Sequence, residues 1–312
     1  MKFSGIFAFC MLTLLYRSGA WGFFGHQTAN RMACFTLPPE LFAFYKSNID
    51  YLTIHAVDPD KRRYSDAEEP PRHFIDADHY GDCPFDTLPV NWKDAVEKFS
   101  EDSLKKYGIV PWYIRKMYSR LVNAMQKKDA EEILYYSANI GHYVADAHVP
   151  LHCSENYNGQ LTGQTGIHGF WESRLPELFG QDYDYFTGRA IYISNVQEFA
   201  WRIVRESYSA LDSVLSMEKK LNAETSPDQK YSFEQRGTQT VQVYSKEYSE
   251  KYHDMLSGQV ERRLRSSVID IGSIWYSAWI DAGMPDLEGK MVERKREDAG
   301  ERKYKRTFIS KW

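Results

Sequence analysis

PWYIRKMYSRLVNAMQKK (residues 111–128), running into DAEEILYYSANIGHYVADA (residues 129–147), decides the fold. Apolar side chains recur three and four residues apart through both stretches, the spacing that lines one face of an α-helix. Pro111 suits a first helical turn, where no amide donor is needed. Asp129 and Glu132 form a capping-box-like start for the second run, which should end near Ala147 because Pro150 disfavours helix at Val149. Two long helices thus follow one another, and the same period appears on either side of them.

Upstream, Pro38-Pro39 followed by ELFAFYKSN predicts a helix with proline in its first turn. WKDAVEKFSEDSLKKY (92–107) is amphipathic and should stop at Gly108. Downstream, helices are expected over Ile167 to Phe179, 190–221 and 240–282. No stretch alternates as a strand should, and no repeat period emerges. The expectation is all-α: a single multi-helix bundle domain with long loops. The loops are 55–90, which holds five of the twelve prolines, and the polar, Gly- and Asn-rich 153–166.

Both ends of the chain differ from the body. Residues 1–20 (MKFSGIFAFCMLTLLYRSGA) have a positive start, twelve apolar residues from Gly5 to Tyr16, and small residues at 18 and 20. That is the pattern of a cleaved secretory signal, too short for a span of about 20 residues. Secretion or export to a periplasm follows. Cleavage would leave Trp21 first, remove Cys10 and move the net charge from -4 to -6, since Lys2 and Arg17 are lost with no acid. Cys34, Cys83 and Cys153 remain, allowing at most one bridge. The tail, 289–312, carries nine Lys/Arg against four Asp/Glu. It reads as a solvated end, with a peripheral membrane-surface or polyanion contact as the alternative. The domain is then 21–288. At 43% hydrophobic and 26% charged, this composition is that of a globular protein. The acidic balance argues against gripping nucleic acid by bulk charge, and four cysteines without a CxxC exclude a disulfide scaffold or zinc ribbon.

The chemistry lies in the histidines. His142 and Asp146 are four apart on the second of these helices, so one face presents both. His168 and Glu172 repeat the spacing, and His152 follows Pro150. Three imidazoles and two carboxylates within thirty-one residues make a donor set that suits zinc. Asp58 and His73 flank the proline-rich loop, and His26 lies five residues after Trp21.

WGFFGH (21–26), AVD (56–58), HFIDAD (73–78), GHYVADAHVPLH (141–152) and GIHGFWE (166–172) together resemble the zinc-dependent phospholipase C and single-strand nuclease superfamily. The resemblance implies a secreted, all-helical phosphodiesterase with three Zn²⁺ ions at the base of a cleft. It implies a first site of Asp58, His73, His142 and Asp146. The second would use His152, His168 and Glu172. The third would use the amino nitrogen and carbonyl oxygen of Trp21 with His26, and Asp146 would bridge to the first. A zinc-activated hydroxide would attack phosphorus in line, with Asp58 orienting it or taking its proton. Phe74 and Asp76 match pocket positions of the family, and Lys61 is a candidate contact for a substrate phosphate. Glu172 stands where the nuclease branch typically has Asp, which tips the expectation to a phospholipid substrate. A single-strand-specific nuclease of the same superfamily is the alternative, and a non-catalytic secreted zinc-binding protein the third reading. No protein partner is implied.

Overall fold

The computed structural model describes residues 22–287. The signal-like leader, Trp21 and the basic tail lie outside the described residues. The body is a helical bundle around one hydrophobic core.

The first four helices are α1 (Gly22–Ala33), α2 (Pro39–Ser47), α3 (Ile49–Ile54) and α4 (Asp58–Arg62). The expected 92–107 helix is two: α5 (Trp92–Phe99) and α6 (Glu101–Lys106) meet at Ser100, whose φ of 68° breaks the run while its hydroxyl caps α6. The two long helices follow as a hairpin, α7 (Val110–Lys127) and α8 (Ala130–Ala147). Lys128 takes a left-handed conformation, and the Asp129 carboxylate accepts from the Glu132 amide at 3.0 Å, so the turn closes in two residues.

Residues 167–179 are helical throughout, with a π-helical segment at Phe170–Arg174. The next long helix, α9, is Val196–Glu224; it starts later than expected because residues 183–195 form no regular element. The expected helix over 240–282 is instead the second strand of a hairpin and two helices. Strands β1 (Tyr231–Arg236) and β2 (Gln239–Tyr244) pair antiparallel, with Ser232 opposite Val243 and Glu234 opposite Val241. Then come α10 (Lys246–Met255) and α11 (Gln259–Asp281), separated at Ser257 and Gly258, both with positive φ. The strands correct the expectation of none. The signal was present in the spaced aromatic and Val residues around Gly237, but one face of this ribbon stays exposed and the polar alternates mask it.

Packing fixes α8 in the middle. Helices α1, α7, α9 and α11 all lie against it. Trp275 of α11 is fully buried, stacks on Tyr45 with ring centres 4.7 Å apart, and donates its indole N–H to the Ser137 carbonyl of α8 at 3.1 Å. The C-terminal end of α8 has carbonyls that its own helix cannot satisfy. Ser207 of α9 donates to the Ala147 carbonyl at 2.6 Å, and Arg263 of α11 to the His148 carbonyl at 3.0 Å. The end of α8, where His142 and Asp146 stand, is therefore pinned from two sides.

Cys34, Cys83 and Cys153 are all free thiols, the first and last buried, so the one bridge that three cysteines allow is not made among the described residues. Among the described residues no helix is long and apolar enough to cross a membrane.

Candidate metal centre

His142 and Asp146 face inward from α8, one turn apart and fully buried. The His142 Nδ1–H donates to the Ala56 carbonyl at 2.8 Å, which leaves Nε2 free to accept a metal. That nitrogen lies 3.1 Å from Asp146 Oδ2 and 3.0 Å from His73 Nδ1. His73 Nδ1 is also 2.8 Å from Asp146 Oδ2. From α1, His26 stacks on His142 with centroids 3.9 Å apart and brings Nε2 to 3.4 Å from Asp146 Oδ1.

The second cluster is built in the same way. The His152 Nδ1–H donates to the His73 carbonyl at 2.7 Å, and its Nε2 meets His168 Nε2 at 3.0 Å. Glu172 Oε2 is 3.0 Å from His168 Nε2 and 3.4 Å from His152 Nε2. Asp146 joins the clusters, its Oδ1 standing 3.6 Å from His152 Nδ1.

Asp58 is not part of this. Its carboxylate accepts from His55 Nδ1 at 2.6 Å and Lys61 Nζ at 3.1 Å, at the surface side of α4. Asp60 takes the inward position. It is buried, with Oδ1 3.8 Å from His142 Nε2 and 3.9 Å from His73 Nδ1. The reassignment was available in the sequence: His55 and Lys61 sit three residues to either side of Asp58, so a helical turn already supplies its partners. Lys61, expected near a substrate phosphate, is occupied by that pair and half-exposed. Glu69, buried under His73, was missed altogether.

Three donor groups result: His26, His142 and Asp146; Asp60, His73 and His142; His152, His168 and Glu172. Tetrahedral zinc with N and O ligands at about 2.0–2.2 Å needs donors roughly 3.3 Å apart. The distances above bracket that value. Many donor atoms also lack a hydrogen bond: both Asp60 oxygens, both Glu172 oxygens, both His26 nitrogens and Asp146 Oδ1 are buried without one, and Arg63 comes only to 3.7 Å from Asp60 Oδ1. Buried carboxylates rarely stay unpaired, and imidazole nitrogens facing each other at 3.0 Å need a proton or a metal ion between them. The donor set fits zinc.

Electrostatics point the same way. Burial would raise the Asp146 carboxyl, but His142 and His152 outweigh it and hold it well below the ordinary carboxylate range. Glu172 is likewise pulled down to about 2, against burial, by His168 and His152. Burial lowers His152, but Asp146 and Glu172 more than reverse this and raise it to about 8. His26 is lowered by burial and by His142, which favours the neutral, ligating form.

At the rim, Asp76 is part-buried and pushed up to about 7 by burial, then by Asp78 and Glu155, with His152 opposing. Phe74 covers Gly108, whose φ of 89° and lack of a side chain admit the Phe74 backbone and ring. Tyr157, half-exposed, packs edge-on against His168 at 5.7 Å.

A mostly helical body with adjoining His and carboxylate groups drawn from six separate segments fits the class of zinc-dependent proteins. The chain belongs to the zinc dependent phospholipase C family, whose model matches residues 23–224. The family is one of phospholipase C-like hydrolases acting on phosphoric ester bonds. No curated protein matches the chain in sequence. Among solved structures it is similar to the alpha-toxin of Clostridium perfringens avian strain SWCP, at 16% identity and a TM-score of 0.48, over 86% of this chain and 65% of that one. It is also similar to the alpha toxin from Clostridium absonum, at 14% identity and a TM-score of 0.45, over 87% and 66%. The chain spans slightly under two thirds of either length.

Proposed function

We propose that this chain hydrolyses the phosphodiester of a phospholipid on the glycerol side, with three Zn²⁺ ions held by the three donor groups and the His26, His142 and Asp146 group completed by the Trp21 amine. The observation that carries the reading is Asp146, fully buried and within 3.4 Å of ligand nitrogens on His26, His73 and His142, with Nδ1 of the neighbouring ligand His152 at 3.6 Å. One carboxylate thereby ties the donor groups into a single centre. When bound, zinc supplies Lewis acidity and lowers the pKa of water to about 7.

The chain's own residues do the rest. The Ala56 and His73 carbonyls fix the tautomers of His142 and His152, so each presents Nε2 inward. Asp60, Asp146 and Glu172 supply three negative charges, fewer than three divalent ions bring, and the surplus positive charge draws a phosphodiester anion. Burial of the donors excludes water and strengthens these interactions. Asp60 Oδ2, buried without a partner, is the oxygen placed to orient a nucleophile or take its proton. Glu172 rather than Asp at the end of GIHGFWE supports the phospholipid substrate. Residues 1–20 belong to the proposal as a removable leader for export.

The test sets phosphatidylcholine vesicles against single-stranded DNA, with zinc-loaded and chelated protein starting at Trp21. Zinc-dependent release of phosphocholine without nucleotides is expected. Nucleotide release alone would move the assignment to the nuclease branch, and turnover that survives chelation would end both.

A further inference from the structure

Beneath His73 lies a buried polar cluster that none of the donor groups uses. Glu69 is fully buried. Its Oε1 accepts from the Tyr143 hydroxyl and lies 3.4 Å from His73 Nε2, the ring nitrogen facing away from the donor group. Its Oε2 accepts from Arg72 Nη1 at 2.5 Å and Arg62 Nε at 3.3 Å. Arg62 also donates to Asn139 Oδ1 and, at 3.2 Å, to the Tyr143 hydroxyl oxygen. The Tyr143 ring packs edge-on against His73 at 5.5 Å.

The places of these residues in the chain give the cluster its meaning. Arg62 is two residues after Asp60 on α4. Glu69 is four residues before His73 in the turn Pro70–His73. Tyr143 adjoins His142, and Asn139 precedes it by one helical turn on α8. Each segment that delivers a ligand to the Asp60, His73 and His142 group sends at least one member into the cluster. These segments are far apart in sequence and share no backbone ladder. Burying a carboxylate fully and two guanidinium groups partly is costly unless every member is paired, so few geometries are tolerated. A carboxylate on the outer nitrogen of a ligating histidine fixes its tautomer and ring orientation, and loss of such a partner weakens metal binding 10- to 100-fold.

We infer that Glu69 is a positioning residue for the Asp60, His73 and His142 group: it holds His73 with Nδ1 inward and locks the three ligand-bearing segments together. The inference rests on these groups being metal sites. The His152, His168 and Glu172 group, whose members make no contact with Glu69, should be indifferent to it.

The experiment titrates the full chain, metal-free, with Zn²⁺ against a competing chelator, and records the absorption spectrum of the Co²⁺-loaded form. Variants are Glu69→Gln and Tyr143→Phe. For Glu69→Gln, one metal per chain should bind about 10- to 100-fold more weakly, with the others unchanged and one component of the Co²⁺ spectrum altered. Tyr143→Phe keeps the carboxylate and removes one donor, so it should shift the same site by a smaller factor, and it decides the matter if Glu69→Gln does not fold. A lower melting temperature with all affinities and the Co²⁺ spectrum unmoved would make the cluster a packing feature and overturn the inference alone. Failure of the unsubstituted chain to bind any metal would overturn the metal-centre reading and this inference together.

Discussion

Asp58 and Asp60, two residues apart on α4, point to opposite sides of it. Asp58 turns to His55 and Lys61 at the surface, and Asp60 turns inward to within 3.8 Å of His142 and 3.9 Å of His73. Two helical steps rotate a side chain by about 200°, so one helix cannot offer both carboxylates to one ion. Asp60→Asn should therefore remove tight binding of one zinc per chain and lower turnover at least about 100-fold, the scale of losing a charge at a metal that generates the nucleophile. Asp58→Asn should leave zinc affinity within about twofold. Zinc titration of both variants checks this, and the reverse ranking would restore Asp58 as the ligand.

How much of this could be read from the chain depended on distance along it. His142 with Asp146, and His168 with Glu172, are legible because helical spacing alone places each pair on one face. That His152 joins the second pair follows less directly, since Pro150 makes the turn that returns it. Asp60 was hidden by its neighbour, because a five-residue helix after a loop has no apolar period from which to read its inward side. Glu69 was hidden more deeply. Its burial depends on Arg62, Arg72 and Tyr143 arriving from three elements, which no local pattern encodes. The hairpin of β1 and β2 was missed for a different reason: a two-stranded ribbon half-exposed on the bundle needs little apolar surface, so its alternation is faint.

The metal-free centre should be proton-loaded at neutral pH. His152, raised to about 8 because Asp146 and Glu172 outweigh the effect of burial, is mostly protonated at pH 7 in the absence of zinc. Zinc must displace that proton. Binding measured calorimetrically at pH 7 in buffers of different ionisation enthalpy should release about one proton from this histidine, and at pH 9 close to none. Proton release that does not change between these pH values would refute the assignment.

The same groups set the pH range of metal-free stability. His152 has a folded pKa of about 8 against 6.5, so its contribution is complete below 6.5 and lost as pH rises through 8. Glu172 has a folded pKa of about 2 against 4.5, so its contribution is complete above 4.5 and lost as pH falls through 2. The metal-free chain should melt highest between these windows and lose on the order of 2 kcal/mol towards pH 8 from His152. With zinc bound the alkaline loss should vanish, because the proton is no longer there to lose. Melting curves of both forms from pH 4 to 9 test this.

Asp76 works in the opposite sense. Burial first, then Asp78 and Glu155, raise its carboxyl to about 7 from an ordinary 3.8, so the fold favours the neutral acid. Its cost therefore appears as pH rises above 3.8 and is complete above 7. Asp76→Asn mimics the neutral acid. The variant should melt higher than the parent at pH 8, in the metal-free form, and at the same temperature at pH 4. An equal shift at both pH values would mean that packing, not charge, governs the position.

Close approach of α1 to α8 is what brings His26 onto His142, and Gly141 permits it. A Cβ at Gly141 would overlap Asn30 Oδ1. Asn30 has no room to turn away, because it is buried and its amide donates to the Leu52 carbonyl at 3.3 Å and the Ala138 carbonyl at 3.1 Å. Gly141→Ala gains helix propensity on α8 but must push α1 outward, and overpacking of this kind costs about 1–3 kcal/mol. For a chain of this size that is a fall of roughly 2–10 °C in melting temperature. His26 and His142 would separate with the helices, so zinc at the His26, His142 and Asp146 group should weaken while the His152, His168 and Glu172 group keeps its affinity. A loss shared equally by all groups would instead mean that the substitution loosens the bundle as a whole, and that the stacked histidines do not depend on this contact.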